Sequence, residues 1–170
     1  KFFPAKTMGS HVTNWNKNTS VKFRTDVCSS CKLGFDIDLK SLSEDDYKFV
    51  QQAVKNYNSM KPVILEGDQY RLVSPYEGSH CAVNYVSKDK QRAVLFAYDL
   101  HPRYKEPQMN VKLQGLNPTK LYTVKETNLM PGKTSELECD GKQYSGDYLM
   151  KVGLSVFSAQ DGTSHVLTLE

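Results

Sequence analysis

Apolar and polar positions follow two different rhythms along the chain, and the rhythm changes near Lys61–Pro62. From Glu44 to Met60, the residues Tyr47, Val50, Ala53, Val54, Tyr57 and Met60 recur at spacings of three and four, which places them on one face of a helix. Ser43 precedes the run with a hydroxyl suited to the first turn, and Asp46 stands where a capping-box acid belongs. Glu44, Asp45 and Asp46 also suit the positive end of the helix dipole. Pro62 is expected to stop the helix. Just upstream, Leu33, Phe35, Ile37 and Leu39 alternate with Gly34, Asp36 and Asp38, which predicts a strand running into that helix.

After Pro62 the period is that of strands. About eight runs qualify: Val63–Leu65, Gln69–Val73, His80–Ser87, Ala93–Asp99, Asn110–Gln114, Leu121–Glu126, Leu149–Phe157 and His165–Leu169. Gly67-Asp68, Asn117-Pro118, Pro131-Gly132, Asp140-Gly141 and Asp161-Gly162 supply the turn chemistry between them. Short strands at this spacing predict a mainly β chain: an antiparallel β-sandwich of Greek-key type over residues 62–170. The strand–helix unit of residues 1–61 is instead what an α/β barrel or doubly wound sheet contributes.

A chain of 170 residues that is 39% hydrophobic can bury one good core and a small second one. No apolar run approaches the roughly 20 residues of a membrane-spanning helix, so no membrane is expected as a partner. The net charge of +3 is spread along the chain without a basic block, which argues against nucleic acid. The chain starts at Lys1 without Met and without the apolar stretch of a signal peptide, as a segment cut from a longer protein would, and this leaves the compartment open. Four cysteines, Cys28, Cys31, Cys81 and Cys139, are too sparse for a disulfide scaffold.

Three stretches carry a resemblance. Met8-Gly9-Ser10-His11-Val12-Thr13 resembles the Met-Gly-Ala-His-Val-Ser segment of glycoside hydrolase family 36 α-galactosidases. Arg24-Thr25-Asp26-Val27, then Leu33-Gly34-Phe35-Asp36-Ile37-Asp38-Leu39 and Leu42-Ser43, are similar to the next segments of that family. Leu113-Gln114-Gly115-Leu116-Asn117-Pro118 with Tyr122, and Tyr144-Ser145-Gly146-Asp147-Tyr148-Leu149-Met150 with Gly153-Leu154, look like its C-terminal sandwich. The resemblance implies a retaining enzyme in which two aspartates about 5–5.5 Å apart attack the anomeric carbon and protonate the leaving oxygen. In the family pattern both lie upstream of Met8, and neither of their motifs occurs here. A full (β/α)8 barrel needs roughly 250 residues. Residues 1–61 are thus expected to be the last strands and helices of a barrel, and residues 62–170 a sandwich behind it. The expected partners are the rest of the barrel, an α-galactoside met through the complete enzyme, and a further copy of the chain, with no cofactor. Cut off from the barrel, the apolar faces of residues 1–61 are expected to be exposed or to self-associate.

No catalytic residue is expected within the chain. His11, at the implied barrel rim and in a predicted loop, and Trp15, the sole tryptophan, are the candidates for substrate contact. Trp15 stands in Thr13-Asn14-Trp15-Asn16, which replaces the family's usual continuation, and its ring can stack on a sugar face or simply pack. Asp36 and Asp38 share a strand face about 6.5–7 Å apart, which would fit an inverting pair, but in the family these positions form the end of a barrel strand and its cap. Cys28 and Cys31 have zinc or redox spacing without the further ligands or the surrounding unit, and read as small buried residues on a helix. Asn18-Thr19-Ser20 matches a glycosylation pattern that arises often by chance. An alternative function is a carbohydrate-binding sandwich that grips sugar on an aromatic face drawn from its tyrosines.

Overall fold

The computed structural model describes residues 4–15, 18–103, 105–106, 109–158 and 160–170. Its first part is a β–α–β–α run: β1 (Gly9–Thr13), α1 (Val21–Ser29), β2 (Lys32–Asp36) and α2 (Glu44–Glu66). β1 and β2 pair in parallel, His11 opposite Gly34 and Thr13 opposite Asp36, and α1 is the crossover between them. β1 falls where the sequence pattern predicts a loop. The Ser43 cap forms as expected: its hydroxyl accepts from the Asp46 amide at 3.1 Å and donates to the Asp46 carboxylate at 2.9 Å.

α2 does not stop at Pro62. It continues to Glu66, taking up Val63–Leu65, which the pattern assigns to a strand. Proline removes the amide that would bond the carbonyl of Asn58, a cost normally met by breaking the helix. Here Asn58 and Pro62 both lie on the exposed face, so the freed carbonyl is not sealed in the core, while Met60, Val63 and Ile64 stay buried on the other side. The passage from helix to strands therefore comes at Gly67. A Cβ on that glycine would come within 2.5 Å of the Val86 carbonyl and closer still to that of Val63, so only hydrogen lets the helix end sit against the sheet.

The remainder is a six-stranded antiparallel sheet in the order β3-β4-β5-β8-β6-β7. Its strands are β3 (Asp68–Val73), β4 (His80–Val86), β5 (Ala93–Asp99), β6 (Leu121–Thr127), β7 (Gln143–Ser145) and β8 (Thr163–Leu169). Five of the predicted strands match these, and the chain is mainly β as the pattern implies. β5 is buried along its whole length because both faces of the sheet are covered. Val94, Phe96 and Tyr98 face Tyr57, Met60, Val63 and Ile64 of α2. Ala93, Leu95 and Ala97 face Val111, Leu113, Leu116, Leu149, Leu154 and Val156.

The second layer is made of extended segments rather than a full second sheet. Asn110–Gln114, predicted as a strand, makes one bridge, Val111 to Leu154. Leu113 also donates its amide to the Leu149 carbonyl at 3.0 Å, and buried Asn84 donates to the Gln114 carbonyl at 3.0 Å and accepts from the Gln114 amide at 3.3 Å. The predicted strand Leu149–Phe157 is likewise replaced, first by the short helix α3 (Gly146–Lys151) and then by the bridge at Leu154. Ser145 caps α3 by accepting from the Tyr148 amide at 3.2 Å, and Lys151 reaches back to Asp147 at 2.8 Å. These local signals favour a helix over the apolar run.

Candidate functional site

The two faces of the parallel pair differ. Ser10 and Val12 point toward α1, with Ser10 donating to the Cys28 sulfur at 3.1 Å and Val12 buried. Leu33 and Phe35 of β2 pack into the cores that the helices share. The alternate positions, Gly9, His11 and Thr13 on β1 with Lys32, Gly34 and Asp36 on β2, therefore lie on the side away from the helices. His11 is thus in mid-strand rather than in a loop, and exposed. Its ring lies over Gly34 so closely that a Cβ there would come within 2.5 Å of its Cδ2 atom.

Trp15 follows the C-terminal end of β1 and is 91% exposed. Asp36 closes β2 at the same end of the pair, opposite Thr13. Asp38 is occupied as a cap, its carboxylate accepting from the Lys40 amide at 3.0 Å. His11 and Trp15 are consequently at different heights, one within the strand pair and the other beyond its end.

Cys28 is buried on α1 and Cys31 is buried just after it, and none of the four cysteines is in a disulfide among the described residues. Burial raises the Cys28 thiol above its ordinary range, against the smaller opposing effects of the Ser10 hydrogen bond and Arg24. Among the described residues no group of three or more His, Cys, Asp or Glu is placed to hold a metal ion, and no helix is long and apolar enough to cross a membrane.

α1 is fastened to the sheet by a polar cluster that sequence reasoning misses. Asp26, with no exposed surface, accepts from Lys22 at 2.6 Å, Ser164 at 2.7 Å and Asn128 at 2.8 Å. Lys22 also donates to the Ser164 carbonyl at 2.7 Å, and Asn56 of α2 donates to Asn128 at 2.8 Å. Burial pushes the Asp26 carboxyl above its ordinary range, and Lys22, Ser164 and Asn128 oppose that push only in part. Beside it, Glu126 meets His165 at 2.6 Å and accepts from Ser135. Burial alone, the largest single effect, would raise Glu126, but these hydrogen bonds together with the electrostatic pull of His165 and Lys22 outweigh it and hold the carboxyl below its usual range. The Lys22–Asp26 spacing of four was readable as a helix pair, whereas Asn128 and Ser164 are brought in only by the fold.

Beside α1 an open groove of about 790 Å³ runs between Phe23 and Val27 of the helix, with Ser30 just after it, and the corner of the sheet formed by Leu72, Cys81 and Tyr98. Its floor is fixed by the Tyr85 hydroxyl, which donates to the Ser30 carbonyl at 2.6 Å.

Comparison with known proteins decides the family. The pattern described as Glycosyl hydrolase family 36 C-terminal domain matches residues 80–169. The chain belongs to glycosyl hydrolase family 36. Within this family it is 31% identical over 175 aligned positions to Probable alpha-galactosidase C of Aspergillus flavus, covering 99% of this chain and 21% of that protein. It is 27% identical to Probable alpha-galactosidase G of Aspergillus terreus, covering 99% of this chain and 22% of that protein. Among solved structures, the family 36 α-galactosidase AgaB from Geobacillus stearothermophilus superposes with a TM-score of 0.83 at 26% identity, over 98% of this chain and 22% of that one. The chain thus spans about a fifth of the length of the curated family 36 relatives it matches, and it corresponds to their C-terminal part.

Proposed function

We propose that this chain is the non-catalytic C-terminal portion of a retaining α-galactosidase that removes terminal α-galactosyl groups. In this reading β1–α1–β2–α2 supplies the last two strand–helix units of a (β/α)8 barrel, and the β-rich part braces them from behind. The observation that carries it is the parallel pair itself. Two parallel strands with helices on one side and open edges are too small a sheet to stand alone, and they have the layering of a barrel wall. The division expected at Lys61–Pro62 would then lie at Gly67, where α2 hands over to the sheet.

The face bearing His11, Thr13 and Asp36 would line the barrel interior, and the strand ends near Trp15 would belong to its C-terminal rim, where barrel enzymes place their active sites. The open groove beside Phe23 and Val27 would receive an upstream part of the barrel, the part by which the relatives exceed this chain. The catalytic aspartates would come from that part.

Hydrolysis of a chromogenic α-galactoside tests the proposal. The 170-residue chain alone is expected to give no turnover, and the chain joined to an upstream family 36 barrel is expected to give it. Turnover by the isolated chain, surviving replacement of both Asp36 and Asp38 by Asn, would defeat the assignment of the catalytic carboxylates.

A further inference from the structure

One guanidinium ties together the two ends of the segment that carries Trp15. Arg24, on α1, donates from Nη1 to the carbonyl of Thr13, the last residue of β1. From Nε it donates to the carbonyl of Ser20 at 3.4 Å. Ser20 is the cap of α1, its hydroxyl accepting from the Phe23 amide at 3.0 Å. Thr13 and Ser20 are therefore the points at which the chain leaves the strand and enters the helix, and Arg24 bridges them.

The base of this clamp is firm. Lys22 and Asp26, two residues to either side of Arg24, are bound to Ser164 of β8 and to Asn128, so the helix that carries the guanidinium is held to the six-stranded sheet. A planar guanidinium suits the task because its donors have a fixed relative geometry and can engage two carbonyls at once, which the single ammonium of lysine does less well. Trp15, two residues beyond Thr13, is 91% exposed, so its own packing does little to hold it. The strand end that Arg24 grips, Thr13, is the nearest anchored point of the chain before it.

We infer that Arg24 is a positioning residue, whose clamp on Thr13 and Ser20 places the Trp15 ring to stack on the sugars beyond the scissile bond of an α-galactosyl oligosaccharide. This rests on the α-galactosidase reading above. A retaining site encloses the terminal sugar between its two carboxylates, whereas an exposed ring at the end of a strand meets what projects outward, the remaining sugars of the leaving group.

Because Trp15 is the sole tryptophan, its fluorescence reports this position without labelling. In the 170-residue chain, Arg24→Gln is expected to increase the amplitude of the fast component of the Trp15 anisotropy decay about twofold, with Arg24→Lys intermediate and far-UV circular dichroism unchanged. A native-like Arg24→Gln chain with unaltered anisotropy would overturn the clamp, and if that variant does not fold, the lysine variant is judged by the same comparison. In the chain joined to its barrel, Arg24→Gln is expected to raise KM for an α-galactosyl trisaccharide about tenfold, leaving kcat and the KM for a small chromogenic α-galactoside within about twofold. Trp15→Ala should reproduce that split, and the double variant should add little to it. Equal losses on both substrates would overturn the positioning role. If the joined wild-type protein cleaves no α-galactoside, the functional reading and the assignment of the ligand fail together, whereas the mechanical clamp is still decided by the anisotropy.

Discussion

Asp26 gathers donors from Lys22 four residues away, Asn128 and Ser164, so one carboxylate joins α1 to two distant parts of the β-rich region. Removing one partner of a buried ion pair leaves the other uncompensated, a loss of about 3 kcal/mol or more. Asp26→Ala is expected to lower stability by that order, read from urea unfolding. The thiols give a second test at this scale. Burial raises Cys139 to about 11 and also raises Cys28 and Cys81, but Cys81 is the one that retains partial exposure. In the native chain at pH 8, an aromatic disulfide reagent is expected to label Cys81 first and Cys139 only on unfolding. Rapid labelling of Cys139 under native conditions would contradict its burial.

Among the elements, α2 shows most clearly what the sequence can and does not reveal. Its start was readable because a cap is local: Ser43 and Asp46 act on each other. Its end was not, because the cost of Pro62 depends on whether the carbonyl of Asn58 meets water, and that depends on what the helix packs against. Replacing Pro62 by Ala restores one hydrogen bond and should stabilise the chain by about 1–2 kcal/mol, allowing for the greater freedom alanine gives the unfolded state. A higher thermal midpoint checks this. The strands from β3 to β6 were readable from short alternating or apolar runs between turn residues, whereas the segment at Asn110–Gln114 looks like a strand but keeps only its bonds to Leu154 and Leu149 and to the Asn84 side chain. At the site, His11 and Trp15 could be picked out by resemblance and residue type. Arg24 could not, since its bond to Thr13 exists only once β1 and α1 lie side by side.

For the molecule as a whole, acidity should be felt at the seam between α1 and the sheet. Burial raises Glu126, but the bonds from His165 and Ser135, with the electrostatic pull of His165 and Lys22, leave it depressed in the folded state. In the window between its folded pKa and the unfolded value of about 4.3, the unfolded chain binds more protons. Its contribution to stability is therefore present above that window and is lost as pH falls through the folded value. Asp26 in the same seam, raised by burial, works in the opposite direction, so the Glu126 part is read by difference: between pH 7 and pH 3 the urea midpoint of the wild type should lose more than that of Glu126→Gln. The open edges of β1–β2 and the groove beside Val27 also leave apolar surface uncovered in the isolated chain. Sedimentation is expected to show concentration-dependent association that joining the barrel suppresses, and a strictly monomeric chain would argue against an unfilled barrel wall.

The strand order carries a consequence in time. β8 follows every strand it joins, yet it lies between β5 and β6 in the interior of the sheet, and its Ser164 completes a hydrogen bond to Asp26 from 138 residues away. Until residues 163–169 have left the ribosome, β5 and β6 have no common neighbour, and α1 lacks the Ser164 part of its anchor and is held to the β-rich region only through partners such as Asn128 and Tyr98. Closure of such distant pairings is slow, and the partly assembled chain exposes strand edges meanwhile. A nascent chain stalled before Thr163 should thus be readily proteolysed across α1 as well as across the sheet, with protection of both arriving together once β8 emerges.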